Sequence, residues 1–307
     1  FAVFLVSGAL YCTRKEGGFG EQIGFAAAAL LIISGAFLMQ STGVAGAVYQ
    51  TQTAYQELTI RDSGGVRTMY LNGQPQSAMH LNGSDAHVYM YTKYFHLPFL
   101  MADDKDQIDQ VLFIGGGGFT GPKRFVEDYN VTVDVVEIDP EVVRAAKNYF
   151  DVEESEDMRI HVMDGRKFLQ ETNNTYDMIV VDAYRKSSVP FHLTTQEFME
   201  LSNSKLDEDG FFYANIISSP SGPGSKLYRS EYKTAETVFP TVYSFRTSSL
   251  PVTQNIEMIA TKSSNKLTLE ELKERNSQRD MGTNLSNEIG NLMQDPNTAN
   301  VPLLTDD

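Results

Sequence analysis

Apolar positions divide this chain into two regimes. Residues 1–11 are almost wholly apolar and 24–39 carry no charge, while 14–22 between them are polar. Two hydrophobic helices joined by a short loop are the natural reading. A spanning helix needs roughly 20 apolar residues, with a lower limit of about 17, which the second run reaches when the neutral residues 40–47 join it. The first run is too short unless the chain starts mid-helix, and Phe1 is not a natural start residue. The expectation is therefore a transmembrane hairpin over 1–45, the tail of a longer membrane region. A secretory signal would place a basic region ahead of its apolar stretch, and here the first residues are already apolar. A buried hairpin in a soluble protein is the remaining alternative.

From residue 49 onward the pattern is that of a folded α/β protein. Between 55 and 80, alternating segments are broken by Ser63-Gly64-Gly65 and by Asn72-Gly73; such breaks close hairpins, so the pattern predicts an antiparallel sheet of about four strands. Residues 86–101 space apolar and aromatic side chains as a helix does, and 103–109 read as a charged linker. Short apolar runs then alternate with helical patterns. Strands are predicted at 111–114, 132–136, 158–163, 176–181, 210–216, 242–246 and 256–261, and helices at 122–129, from Pro140, at 194–206 and at 225–239. This alternation predicts a mostly parallel sheet with helices on both faces. From residue 267 a charged amphipathic helix and a polar tail follow.

Ligands of such sheets bind beyond the carboxyl ends of the strands. Four successive strands end in groups that could serve one: Gly115, Gly116, Gly117 and Gly118, then Glu137 with Asp139, then Asp164 with Gly165, then Asp182. A glycine turn between strand and helix lets backbone approach a ligand closely. An acidic residue about 20 positions further on can accept hydrogen bonds from both hydroxyls of a ribose. Each feature alone has a plainer reading, the glycines as a turn and Asp164 as a helix cap. Their repetition in one layer favours a single crevice.

Charge and composition narrow the partners. With 25 Lys and Arg against 40 Asp and Glu, the formal charge is −15, and no basic stripe offers itself to a phosphate backbone, so nucleic acid is not expected. A lone cysteine, Cys12, closes off both an intramolecular disulfide and a cysteine metal cage. No metal is expected, and no permanently bound cofactor.

The ordered set YQELTIRD, LNGQPQS, VLFIGGGG, VVEIDPEVV, MDGRKFL and YDMIVVDAY, spanning 55 to about 212, resembles the spermidine synthase family of polyamine aminopropyltransferases. The hydrophobic prefix resembles that of a branch in which a synthase domain follows membrane helices. The resemblance implies a Rossmann-like, S-adenosylmethionine-methyltransferase-type fold, with a small β domain plus helix at 46–106 and a nucleoside-binding catalytic domain at 107–307. It implies a sulfonium nucleoside as co-substrate, either S-adenosylmethionine or its decarboxylated form, with methylthioadenosine released. Glu137 would hold the ribose, Asp164 and Gly165 would meet the adenine, Gln56 would line the sulfonium pocket, and Asp182 would be the general base for the attacking amine. Tyr184, Arg185 and His192 are candidates to face the acceptor, beside plainer roles in packing, capping or solvation.

Three departures accompany these matches. Gly118 stands where the family carries an Asp, Arg185 replaces the second acid of its Asp-x-x-Asp, and Tyr91 and Thr92 lie near a position where an acid is expected. Three readings follow: an aminopropyltransferase with an altered acceptor, an enzyme of ordinary S-adenosylmethionine that transfers methyl or cleaves the sulfonium, and a non-catalytic nucleoside sensor. A homodimer is admitted as an assembly. Arg14 and Lys15 in the hairpin loop vote for a C-terminal part outside the cell. The cytoplasmic origin of S-adenosylmethionine votes the other way, and a membrane protein with a cytoplasmic catalytic domain is the expectation adopted.

Overall fold

The computed structural model describes residues 46–84, 87–183 and 190–307. The hairpin expected over 1–45 lies outside these residues, as do Tyr184 and Arg185. Among the described residues no helix is long and apolar enough to cross a membrane. Val48–Asp307 forms one compact unit.

The first strands, β1 (Ala47–Gln52), β2 (Glu57–Ser63), β3 (Val66–Leu71) and β4 (Gln74–His80), make a four-stranded sheet in sequence order. Asn72 and Gly73 both take positive φ, the conformation a two-residue hairpin turn demands. Leu58, Ile60 and Met69 are fully buried.

The single helix expected over 86–101 is instead a 3-10 turn, Met90–His96, running into a short α1 (Leu97–Met101). Pro98 has no N–H to give to Tyr94, whose carbonyl takes the Leu97 amide in a tighter turn.

The second sheet has seven strands: β5 (Gln110–Ile114), β6 (Thr132–Glu137), β7 (Met158–Val162), β8 (Tyr176–Val181), β9 (Leu206–Ser218), β10 (Thr241–Arg246) and β11 (Gln254–Thr261). Their order is β10-β11-β9-β8-β5-β6-β7. The five strands from β9 to β7 are parallel, and β11 and β10 close the sheet antiparallel. Burial on both faces explains the unbroken apolar runs: Phe113, Val133, Val135 and Val180 pack on one side, and Leu112, Ile114, Val136 and Ile179 on the other. The covering helices are α2 (Thr120–Tyr129), α3 (Pro140–Tyr149), α4 (Gly165–Glu171), α5 (Gln196–Ser204) and α6 (Lys226–Val238). β5 leads to β6 and β7 in one direction while β8 leads to β9 in the other. The order therefore reverses between β5 and β8, where a ligand crevice belongs.

After residue 267 the chain forms two helices, α7 (Leu269–Gln278) and α8 (Ser286–Gly290), where the sequence predicted one. The segment beyond them is docked on the sheet: Leu292 pairs with Phe245, and the Tyr232 hydroxyl donates to Asp295 at 2.7 Å.

Candidate active site

A cavity of about 260 Å³ opens at the β5/β8 reversal, lined by Gly115, Gly116, Gly117, Glu137, Asp164, Gly165 and Asp182 from the strand ends, by Gln56, Gln76 and Ser77 from the small sheet, and by Tyr91 and His192. The loop after β5 is glycine for steric reasons. Gly115 has φ +101, and a Cβ there would lie 2.5 Å from the Asp182 carbonyl oxygen. Phe119, at the start of α2, takes a left-handed φ of 57 with its side chain fully buried, and its ring sits where a side chain on Gly116 would go.

Glu137, at the end of β6, is buried and gathers three backbone donors. Its Oε2 accepts from the Gly116 amide at 2.9 Å and the Gly117 amide at 3.4 Å, and its Oε1 from the Asp139 amide at 3.0 Å. Burial nevertheless pushes its carboxyl above the ordinary glutamate range, the backbone bonds opposing the shift only in part. Asp139 is not in the cavity lining, contrary to its assignment from sequence. It is buried, caps α3 by accepting from the Glu141 amide at 3.0 Å, and accepts the Thr53 hydroxyl at 2.6 Å. Thr53 Oγ1 in turn accepts the amides of Tyr55 and Gln56. Asp139 thus anchors the loop that carries Gln56 over the cavity.

Asp164 caps α4, accepting the Lys167 amide at 3.0 Å, and its other oxygen lies 2.9 Å from His192 Nε2. Burial works to raise its pKa, but the Lys167 amide and His192 outweigh it, so the carboxyl stays below its usual range. Both roles weighed in the sequence, cap and crevice, meet in this residue. Gly165 lets α4 start against β5, because a Cβ would fall 2.3 Å from Ile114 Cγ2.

Gly118 lies outside the cavity lining. It is buried, its amide donates to Ser77 Oγ at 2.8 Å, and a Cβ there would come within 2.7 Å of Ser77 Cβ. β4 therefore fills the space that a side chain at 118 would need.

Asp182, at the end of β8, faces the cavity with both oxygens engaged. Asn215 Nδ2 donates to Oδ1 at 2.8 Å, and the Tyr91 hydroxyl donates to Oδ2 at 3.4 Å. Removal from water raises its pKa against these two bonds. Asn215 escaped the sequence reading, although an Asn inside the apolar run 211–217 is the signal that could have found it. Ser77 was missed as well, because only the fold brings β4 to the glycine loop.

The arrangement can hold a polyol on Glu137, a planar heterocycle beside Asp164 and Gly165, and a reacting centre between the glycine loop and Asp182. Residues 90–273 match the spermine/spermidine synthase domain. The chain is 28% identical over 214 residues to a polyamine aminopropyltransferase of Vibrio vulnificus, covering 67% of this chain and 69% of that one. It is 30% identical to a polyamine aminopropyltransferase of Thermococcus kodakarensis, covering 67% of this chain and 71% of that one. The crystal structure of a probable spermidine synthase from Corynebacterium glutamicum shares the fold, with a TM-score of 0.65 at 19% identity over 85% of this chain and 100% of that one. The chain belongs to the spermine/spermidine synthase family and is a transferase of the aminopropyltransferase type.

Proposed function

We propose that the protein transfers an aminopropyl group from a sulfonium nucleoside, decarboxylated S-adenosylmethionine, to an amine, with Asp182 as general base. The observation that carries the reading is Asp182 itself, a carboxylate facing the cavity across from the glycine loop and oriented by Asn215. The amine nitrogen attacks the methylene carbon beside the sulfonium, the C–S bond breaks with its electron pair passing to sulfur, and Asp182 takes the amine proton. The leaving group is the neutral thioether methylthioadenosine and needs no acid. Before that step the negative charge of Asp182 favours the sulfonium and ammonium charges nearby. Glu137 accepts the ribose hydroxyls and Asp164, with Gly165, meets the adenine. Gln56 lines the sulfonium pocket, and His192 faces the site through Asp164.

One observation favours a second reading, in which the donor is ordinary S-adenosylmethionine. Ser77 and Gln76, both uncharged, line the cavity beside Gly118, so that wall does not repel a donor that keeps its carboxylate. We further propose that 46–106 acts as a small domain over a nucleoside-binding domain at 107–307. The apolar prefix 1–45 is proposed as a membrane hairpin, a reading that rests on the charge-free run 24–39, with the catalytic part on the cytoplasmic side, where S-adenosylmethionine is made.

The test is mass spectrometry of products from the purified full chain given either donor, with and without putrescine. Methylthioadenosine from the decarboxylated donor only when an amine is present is the expected result. Methylthioadenosine or S-adenosylhomocysteine from ordinary S-adenosylmethionine would instead establish the second reading. Binding without any product would make the protein a nucleoside sensor.

A further inference from the structure

Behind Asp182 runs a buried polar strip that the functional reading leaves unexplained. On β9, Tyr213 and Asn215 point to one face of the sheet, and the antiparallel register sets Glu257 of β11 opposite Asn215 and Asn255 opposite Ile217. Tyr213 donates its hydroxyl to Glu257 Oε2 at 2.7 Å. Asn255 Nδ2 donates to Asn215 Oδ1 at 2.9 Å, and Asn215 Nδ2 donates to Asp182 Oδ1 at 2.8 Å. Most of this polar row is enclosed: Glu257 and Tyr213 are fully buried and Asn215 is 2% exposed, while Asn255 at the start of β11 is half-buried. Glu257 Oε1 has no hydrogen-bond partner.

An amide side chain can present either its oxygen or its NH2 to a neighbour, and the surrounding hydrogen bonds decide which. Here Asn255 favours one of them. With its own NH2 on Asn215 Oδ1, it supports the orientation that offers N–H to Asp182. Were the amide turned over, an oxygen would face the carboxylate, and two acceptors would meet in a poorly hydrated place. We propose that Asn255 is a positioning residue for Asp182, holding the Asn215 amide with its NH2 on the carboxylate so that Asp182 keeps the donor that favours its ionised form. Asn255 does not line the cavity, and its side chain reaches Asp182 through the bond to Asn215.

The other titratable groups that face this strip are Tyr91 and Tyr94 of the 3-10 turn, Tyr213 and Glu257. Burial raises all four above their ordinary ranges, Tyr94 to about 12. None of these four is bonded to the Asn215 amide in the way that Asp182 is.

The proposal rests on Asp182 being the base, yet its test can be read without turnover. Carboxyl 13C spectra of aspartate-labelled full-length protein identify Asp182 as the resonance that Asp182→Asn removes. In Asn255→Asp, an isosteric change that turns the donor into an acceptor, that resonance should titrate about one pH unit higher or more. The acid limb of kcat/KM should follow it, with kcat falling about tenfold on the acidic side of that limb. Asn255→Ala, which removes the donor without adding a charge, should move the resonance in the same direction by a smaller step. A resonance that titrates as in the unaltered protein in either variant, or equal effects of the two variants, overturns the proposal. Turnover retained by Asp182→Asn would instead sink the general-base reading while leaving the titration result intact.

Discussion

Asp182 and Gly165 show how much rests on single atoms at this site. Because desolvation raises the Asp182 pKa, and a general base must be deprotonated to act, activity should fall on acidification at a pH above the ordinary aspartate range. A pH profile of kcat/KM checks this, and a limb near pH 4 or lower would contradict it. Asp182→Asn should cut kcat by about 10²–10⁴-fold with a much smaller loss of affinity for the cationic donor, as calorimetry against product formation would register. At Gly165 the argument is steric. A methyl group would meet Ile114 Cγ2 at 2.3 Å, so either α4 or the end of β5 must move. Gly165→Ala should destabilise the fold by roughly 1–3 kcal/mol, as overpacking does, and weaken donor binding at the same time. Denaturant unfolding and donor titration of one variant test both halves.

At the scale of elements, α6 carries a carboxyl that its packing does not accommodate when charged. Glu231 is buried and its Oε1 has no partner, and burial pushes it up to about 8. Below about pH 4.5 both folded and unfolded chains hold this proton and the group's contribution is complete. Between there and pH 8 the unfolded chain ionises while the folded one does not, so stability declines as pH rises. Glu231→Gln should remove that decline, gaining on the unaltered protein from pH 4.5 to pH 7 by roughly 3 kcal/mol; parallel stability curves for the two proteins would refute it. The strands around this helix were legible because burial on both faces writes them as apolar runs: 176–181 was read with the bounds that β8 has. β9 was read short, since its first turn of chain, Leu206–Asp209, is polar and mostly exposed and pairs with β8 only across a register shift. The 86–101 segment was read as one helix because side-chain spacing does not report the missing N–H of Pro98. Strand-end groups were equally legible as neighbours in a crevice, but the anchoring bond of Asp139 was not, since its partner Thr53 is 86 residues away. Asn255 and Ser77 depend on cross-strand or inter-sheet contacts that no local pattern encodes, and for Asn215 the local signal marks the residue but not its partners.

For the molecule as a whole, the last segment ties distant parts of the structure to the Asp164 side of the cavity. Lys266 holds Asp295, Lys233 donates to the Val301 carbonyl, the Leu304 amide donates to Thr234 Oγ1, and the Gln196 amide donates to the Leu304 carbonyl. The segment therefore crosses α6 and then α5. Beyond α5, Asp306 accepts both terminal nitrogens of Arg166, and the same guanidinium donates to the His192 carbonyl at 3.2 Å. His192 lies against Asp164, so Asp306 reaches the cavity through two side chains. Arg166 holds Asp306 down to about 2, which keeps the pair charged at any pH where the protein is assayed. Asp306 is exposed, so salt and water screen the pair and its effect must be modest. Asp306→Ala should raise the donor Kd by no more than about fivefold and leave kcat near its starting value. Arg166→Ala should do more, because it frees the His192 carbonyl as well. Added salt should weaken donor binding by the unaltered protein toward the Asp306→Ala value, and calorimetric donor titrations of both variants at two ionic strengths test the whole argument. An Arg166→Ala variant indistinguishable from the unaltered protein would mean that the segment packs against the domain without steadying His192.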